Sequence, residues 1–254
     1  MKNLVNNSAI IADRKMKRQF DHKEKVMLNV DIEYPSVTLP KDRIVQMKIN
    51  INFFSVANKF YRYAMNTLFP DAVEQYETSI AQNIPFNPYE AVMKYTVTLN
   101  DNCSLSTYFD QYEYTSGAHG NTLRSSSTHS LQTGNIIELK DLFKDNENYK
   151  DLILEQIQIK ADEILTIYPG IYFDDYKKLI VENFNVDSFY LKPKAIDFYY
   201  QQYDIAPYST GIVVFSIPYK KLEIKGPHCI LKNWNNKYSV KKVISFKYKH
   251  TKVR

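Results

Sequence analysis

The residues with the most distinctive chemistry lie in a short run of small side chains, SGAHGN. Two glycines and an alanine free the backbone for tight turns with positive φ, and they would display an imidazole at the tip of a loop. Such a loop could be a plain connection between strands. It could also be a binding loop that projects from a rigid sheet, where recognition residues are commonly placed. The first candidate site is therefore this loop: Ser116, Gly117, Ala118, His119, Gly120 and Asn121.

Other reactive side chains do not form a recognisable catalytic or metal-binding pattern. Serines cluster at residues 125–127 near His129, but the GxSxG turn of serine hydrolases is missing, and we expect His129 to be a surface histidine. The five histidines lack HxxxH and HExxH spacing, so no metal site is expected. Without a P-loop or a GxGxxG motif, no nucleotide cofactor is expected either. The many carboxylates permit a glycosidase pair without indicating one.

The net charge of +5 conceals an uneven distribution along the chain. Residues 220–254 carry eleven basic side chains and one acidic, a net charge of +10, and residues 1–25 add +4. Residues 26–219 have 15 basic and 24 acidic side chains, a net charge of −9. We therefore expect an acidic body that suits a cationic protein and a basic tail, 223–254, that contacts polyanions. Within that tail, residues 240–248 could form an edge strand or a loose arm.

Length and composition indicate a folded protein of one large domain or two small ones. The 254 residues are 44% hydrophobic and 24% charged, which excludes a fibrous or wholly disordered chain. No apolar run has the length of a signal peptide or a membrane span, which predicts a cytoplasmic protein by default, or a wall-facing one if it is exported without a signal peptide. Cys103 and Cys229 lack CxxC spacing. We expect free thiols, with one long-range disulfide as the alternative.

The elements that would position the His119 loop are mainly strands. Residues 91–99 and 104–115 alternate around a polar turn, which predicts a hairpin. A third strand is predicted at 122–131, directly after the loop. The loop would therefore connect two strands of one sheet.

The first half also contains an earlier strand and a long helix. Residues 25–34 alternate as a strand that should end at Pro35, where a ladder donor is lost. From Asp42 to about Ile80, apolar side chains recur in steps of three and four, which predicts a long amphipathic helix that Pro70 could break. The apolar positions are Ile44, Met47, Ile51, Phe54, Tyr61, Ala64, Met65, Leu68, Ala72 and Tyr76.

The second half combines helices and strands. Helices are predicted at 149–168 and 174–183, and strands at 187–191, 196–200 and 211–217. Runs of strands and helices that are segregated in this way predict an α+β fold with a largely antiparallel sheet. One long helix in the N-terminal half and two helices in the C-terminal half would pack on it.

Three stretches of the sequence resemble a known family. They read YEYTSGAHGN at 112–121, LQTGNIIELKDLF at 131–143 and FYLKPKAIDFYYQQYDIAPYSTGIVVFSIPYKKL at 189–222. In this order and spacing they resemble the extracellular domain of RsiV-type anti-sigma factors. Residues 26–115 resemble the PdaC-like module that accompanies that domain and that also precedes peptidoglycan deacetylase domains. Together the resemblance covers residues 25–222.

The resemblance implies a binding module of a Gram-positive, cell-wall-related kind without catalysis of its own. RsiV-type domains bind lysozyme and so trigger release of a sigma factor, while in deacetylases the module is an accessory near peptidoglycan. We therefore expect a lysozyme-like cationic protein or peptidoglycan as the partner. The His119 loop is the first expected contact, and the second is a segment that contains Ala206, Pro207, Tyr208 and Gly211.

The resemblance also divides the chain into four parts. They are a basic arm at 1–24, a PdaC-like subdomain at 25–118, an RsiV C-terminal-type subdomain at 119–222 and the basic tail at 223–254. The chain departs from the sensor because we expect no transmembrane helix, no sigma-binding segment and no deacetylase domain in it. Two alternatives stay open. One is a cytoplasmic or spore-associated protein of the same fold that binds polyanions through its tail, and the other is a glycan-acting enzyme with an unrecognised site.

Overall fold

The computed structural model of the chain describes residues 8–143 and 147–229. These residues form two sheets, one long helix in the N-terminal half and two further helices in the C-terminal half. The predicted α+β fold with a largely antiparallel sheet is therefore confirmed. The predicted edge strand at 240–248 and the basic tail from residue 230 onward lie outside the described residues.

The first sheet has five strands in the order β1-β2-β3-β4-β5. Neighbouring strands are antiparallel except for β2 and β3, which run parallel because the long helix crosses over between them. The loop that carries His119 connects β4 to β5, as predicted. The strands are β1 (Ile10–His22), β2 (Lys25–Thr38), β3 (Tyr89–Asp101), β4 (Ser104–Tyr114) and β5 (Asn121–Ser130).

Strand β1 lies within the stretch that the sequence assigned to a basic arm. It pairs along its whole length with β2, from Ile10 opposite Thr38 to His22 opposite Lys25. Met16 and Phe20 pack against the first core, while the basic side chains between them are exposed. Charged side chains of this kind discourage further pairing at the edge of a sheet.

Strand β2 continues through Pro35 to Thr38, so the predicted end at Pro35 is wrong. The pairing of β2 with β3 stops at Ile32, and beyond that residue its partner among the described strands is β1. A proline on a strand with one open side loses no ladder bond on that side. The strand can therefore pass through the proline.

The long helix is continuous, with one irregular turn. Helix α1 (Arg43–Tyr63) passes through a π-helical turn (Ala64–Leu68) into helix α2 (Phe69–Gln82). In a regular α-helix the ring of Pro70 would clash with the carbonyl group four residues earlier. The wider turn, in which the N–H of Phe69 reaches the carbonyl of Ala64, accommodates the proline, so the helix does not break there.

Helix α1 has two apolar stripes, and only one of them packs on the sheet. The buried stripe consists of Val45, Ile49, Phe53, Ala57 and Phe60. The first four apolar positions that the sequence pattern selected are exposed instead, with exposed fractions between 48% and 66%. We call these residues the outer stripe: Ile44, Met47, Ile51 and Phe54.

The second sheet and its helices enclose a second core. Its three antiparallel strands are β6 (Phe189–Leu191), β7 (Ala195–Tyr200) and β8 (Val213–Pro218). Helix α3 (Tyr149–Ile167) and helix α4 (Tyr176–Glu182) contribute buried side chains to the same core. Among the described residues, no helix is long and apolar enough to cross a lipid bilayer.

A disulfide between Cys103 and Cys229 joins the two halves, so the expectation of free thiols is wrong. The two Cα atoms are 5.1 Å apart, although the residues are 126 positions apart in sequence. Asn102 and Cys103 form the β3–β4 turn with φ values of 50° and 63°, the pattern of a type I′ hairpin. The disulfide therefore ties the end of the second half to the tip of a hairpin in the first.

Candidate functional site

The structure brings together the two segments that the sequence selected for partner binding. The rings of His119 and Tyr208 are stacked, with their centroids 3.9 Å apart and their planes 23° apart. The hydroxyl of Tyr208 also donates a hydrogen bond of 2.7 Å to the carbonyl of Gly120. One face of the molecule therefore contains both the His119 loop and the segment around Tyr208.

The two glycines of the His119 loop have different surroundings. A Cβ atom on Gly120 would lie 2.3 Å from the ring of Tyr112 and 2.5 Å from the carbonyl oxygen of Glu113, so the backbone passes too close for any side chain. Gly117 has no such neighbour, because its nearest atom would be 4.0 Å away. The loop is therefore fixed at Gly120 and open at Gly117. At its start, the hydroxyl of Ser116 accepts a hydrogen bond from the N–H of Asn87.

Of the four residues predicted in the second segment, only Tyr208 has an aromatic side chain. Pro207 precedes a 3-10 turn at Tyr208–Thr210, and Gly211 ends this turn with a positive φ of 74°. Ala206 is only 1% exposed and belongs to the second core. Tyr208 is thus the member of this segment that reaches the His119 loop, while its neighbours shape the turn.

Two further tyrosines extend this surface. Tyr203 is 54% exposed, and its ring centroid lies 5.8 Å from that of Tyr208. Tyr112 is half-buried beneath Gly120. The sequence did not single out either residue, because the chain has 21 tyrosines and no spacing distinguishes these two. We call His119, Tyr208, Tyr203 and Tyr112 the aromatic platform.

Two carboxylates lie at the end of the sheet that carries the His119 loop, and one of them is beside the aromatic platform. Glu90 and Tyr112 are on the same face of the sheet, and burial together with the charge of Glu90 raises the pKa of Tyr112. On the opposite face, burial and the side chain of Glu113 raise the pKa of Tyr63 to about 12. Glu90 is thus on the face of the platform, where its charge favours a cationic group on the partner, whereas Glu113 is on the other face beside α1.

A polar brace holds the second segment beside β5. The side chain of Gln201 accepts a hydrogen bond from the N–H of Arg124 and donates one to its carbonyl, at 2.9 and 2.8 Å. The next residue, Gln202, accepts a hydrogen bond from the N–H of Thr122 at 2.7 Å. These side-chain amides pair with β5 as a further strand would, and they fix residues 201–208 next to the His119 loop.

Arg124 is itself held firmly. Its guanidinium donates two hydrogen bonds of 2.7 Å to the carboxylate of Asp110 and lies 3.9 Å above the ring of Tyr108. Burial alone would lower the pKa of Arg124, but the carboxylate of Asp110 raises it. The bidentate pair therefore anchors β5 under the brace.

The geometry around His119 suits binding. Its Nδ1 lies 3.1 Å from the carbonyl oxygen of Gly120, and its ring is stacked on Tyr208. Among residues 8–143 and 147–229, no three His, Cys, Asp or Glu side chains are close enough to hold a metal ion. What the platform offers a ligand is flat aromatic surface with polar edges.

His129 is buried, so the expectation of a surface histidine is wrong. It is 1% exposed, and its ring packs edge-on against that of Phe53 at 5.1 Å. Within the described part of the chain, neither ring nitrogen has a hydrogen-bond partner. Burial lowers the pKa of His129 to about 4. It lies under α1, away from the aromatic platform.

A cavity of about 760 Å³ lies at the disulfide. Cys103, Ser130 and Phe143 form part of its lining, and residues 222–228 form one wall. Because Cys229 follows that wall directly, the disulfide fixes the wall against the β3–β4 turn.

Two family models match this chain, one in each half. Residues 21–122 match the model described as Deacetylase PdaC. Residues 140–220 match the model described as Protein of unknown function (DUF3298). Each model covers less than half of the chain, and the aromatic platform takes His119 from the region that matches the first model and Tyr208 from the region that matches the second. No curated protein matches the chain.

Solved structures share this fold. A crystal structure of a DUF3298 family member from Bacteroides fragilis is 20% identical with a TM-score of 0.66, and the match covers 86% of this chain and 94% of the other. A DUF3298 family protein from Pseudomonas aeruginosa PAO1 is 16% identical with a TM-score of 0.58, and that match covers 87% and 97% of the two chains. The similarity extends over both domains together.

Proposed function

We propose that this chain is a non-enzymatic binding module that recognises a cell-wall-associated partner, a lysozyme-like cationic protein, at the aromatic platform. The observation that carries the proposal is the stacking of exposed His119 on half-buried Tyr208, because it joins the two regions that match the family models in one surface. Exposed tyrosines give a large contact area at a small cost in conformational entropy, and for this reason they are common in binding surfaces.

Charge supports a cationic protein as the partner. Residues 26–219 carry a net charge of −9, and the carboxylate of Glu90 lies near the platform. Complementary charge speeds the encounter of two proteins and favours the correct orientation. The sensitivity of the association rate to salt should therefore be high.

The disulfide supports a partner outside the cytoplasm. Disulfides persist in oxidising compartments and are rare in reducing ones. The Cys103–Cys229 bond joins the two domains that form the platform, so the binding surface would be complete where this bond is maintained. A cell-wall location meets that condition.

Titration calorimetry with purified lysozyme at low ionic strength tests the proposal. We expect a complex that His119→Ala and Tyr208→Ala each weaken by about 10-fold or more, as for central residues of an interface. Tyr168→Ala is a matched control because Tyr168 is 60% exposed at the end of α3 and is not part of the aromatic platform. The absence of both heat and a complex at low salt would contradict the proposal. An equal effect of all three variants would contradict it as well.

Peptidoglycan is the second candidate partner. The exposed ring of Tyr203, beside those of Tyr208 and His119, would suit the flat faces of sugar rings. Soluble peptidoglycan fragments in the same calorimeter distinguish the two partners. Binding of fragments that Tyr203→Ala abolishes, with no binding of lysozyme, would replace the first candidate by the second.

A further inference from the structure

The outer stripe of α1 is an exposed apolar surface with no role in the proposed function. Ile44, Met47, Ile51 and Phe54 follow steps of three and four, so they lie along one side of the helix. Their exposed fractions are 66%, 56%, 59% and 48%. The buried stripe of α1 already anchors the helix on the sheet, so these four side chains are not needed for the core. A contiguous apolar patch of this kind indicates an interaction surface.

All the charged side chains of α1 are basic. The helix contains four basic residues and no acidic residue. All four basic side chains are exposed: Arg43, Lys48, Lys59 and Arg62. Lys48 donates hydrogen bonds to two neutral oxygens, the carbonyl of Thr133 and the side chain of Asn135. Arg43 and Lys48 thus lie beside the stripe, and Lys59 and Arg62 follow it along the same helix.

The apolar and basic surface continues onto the sheet. The ring of Phe54 lies 6.3 Å from the ring of Tyr34 on β2. Tyr34 is paired with Arg14 on β1, so the exposed side chain of Arg14 is on the same face of the sheet. The surface is therefore broader than a single helix.

From this combination we infer that the outer stripe docks on an anionic lipid membrane, with α1 lying in the plane of the interface. Helices that bind the surface of a membrane place apolar side chains at the boundary of the acyl chains and basic side chains at anionic headgroups. A water-soluble polyanion would neutralise the cations but would leave the four apolar side chains in water. A second copy of this chain would bring the two rows of cations against each other.

The shape of the surface also favours a membrane over a peptide. Amphipathic peptides are usually bound in a groove. Here the apolar side chains project from a helix that lies on the outside of the sheet, and they form a ridge. A ridge can enter the headgroup region of a bilayer, which deforms around it.

Sedimentation with lipid vesicles tests this inference on the full chain. Vesicles would contain phosphatidylcholine alone or an equimolar mixture with phosphatidylglycerol. We expect binding to the mixed vesicles only, and a loss of about 10-fold or more in the double variant Ile51→Ser/Phe54→Ser, because two exposed apolar side chains no longer leave water. The double variant Arg43→Glu/Arg62→Glu should also lose about 10-fold or more, because each cation near the surface of an anionic membrane adds to the attraction.

A matched control distinguishes the role of the outer stripe from a general effect of removing exposed apolar side chains. Ile159→Ser/Val181→Ser changes two side chains on α3 and α4 that are 46% and 50% exposed, and it should bind as the unchanged chain does. Equal melting temperatures of all variants would show that each is folded. Met47→Asn provides a second, milder test of the stripe.

Three outcomes would overturn the inference. Unchanged vesicle binding in Ile51→Ser/Phe54→Ser would place the interaction elsewhere, for example in the basic residues 230–254. A dimer in light scattering that this variant dissociates would make a second copy the occupant. Tighter binding of a helical peptide with leucine on one face and glutamate on the other, weakened by the same variant, would make an acidic protein helix the occupant.

Discussion

The side-chain amide of Gln201 pairs with both backbone groups of Arg124, accepting from its N–H at 2.9 Å and donating to its carbonyl at 2.8 Å. One side chain thereby fills two hydrogen-bonding positions at the edge of β5. The pairing joins the C-terminal half of the chain to the five-stranded sheet, and Gln201 lies a few residues before Tyr208. The position of the aromatic platform should therefore depend on it.

Replacement of Gln201 tests this dependence. Gln201→Ala removes two hydrogen bonds to partly buried backbone groups and should lower the free energy of unfolding by about 2 kcal/mol. Gln202→Ala removes the single bond to Thr122 and should lower it by about 1 kcal/mol. Urea denaturation measures both. Equal losses would contradict the special role of Gln201.

The two glycines of the His119 loop provide a second prediction. Gly120→Ala would place a Cβ atom against the ring of Tyr112 and should cost about 1 to 3 kcal/mol, because the loop or the ring must move. Gly117→Ala meets open space and should stay within about 0.5 kcal/mol of the unchanged chain. Thermal unfolding measures both changes. Binding of the partner should weaken only in Gly120→Ala, and a similar effect of both changes would refute the close packing at Gly120.

Buried His129 predicts a dependence of stability on pH. Its pKa falls from 6.5 to about 4 on folding because burial disfavours the charged ring. Between these pH values the unfolded chain binds a proton that the folded chain does not. The contribution of the neutral ring is therefore complete above pH 6.5, and about 3 kcal/mol is lost as the pH falls to 4.

Denaturation at several pH values checks this contribution. Carboxylates titrate over the same pH range. The unfolding free energy is therefore compared with that of His129→Leu, in which the contribution of His129 is missing. The difference in unfolding free energy between the two proteins should change by about 3 kcal/mol across the window. Parallel curves for the unchanged chain and His129→Leu would contradict the assignment.

The disulfide predicts a stability that depends on redox conditions. Opening the bond between Cys103 and Cys229 frees a loop of over a hundred residues in the unfolded chain, and the free energy of unfolding should fall by about 2 to 4 kcal/mol. Melting temperatures with and without dithiothreitol measure the effect. Cys229→Ser should lower the melting temperature to the same extent and abolish the response to dithiothreitol. A response that persists in this variant would point to another cause.

Local patterns predicted the elements near the candidate site well. The hairpin around residue 102, the His119 loop and the strand after it follow from alternation and turn residues, which act over a few positions. The segments that contain His119 and Tyr208 were selected separately from the sequence, which did not predict that they are close. No pattern in the sequence places one beside the other, because their contact depends on the packing of two sheets.

The sequence did not predict three other features, for related reasons. Periodicity identified the helix but selected the outer stripe, since α1 has apolar side chains on two sides and spacing does not show which side faces the sheet. Strand β1 was missed because its basic side chains at an edge resemble those of a solvated arm. The disulfide was missed because the two cysteines are far apart in sequence, which gives no sign that they are close in space.

The disulfide also determines what a protease could do to this chain. Any single cut between residues 104 and 228 falls inside the covalent ring that Cys103 and Cys229 close. Such a cut would leave two fragments joined by the sulfur atoms, and both would run as one species on a non-reducing gel. A single cleavage within this region would therefore release no fragment until the bond is reduced.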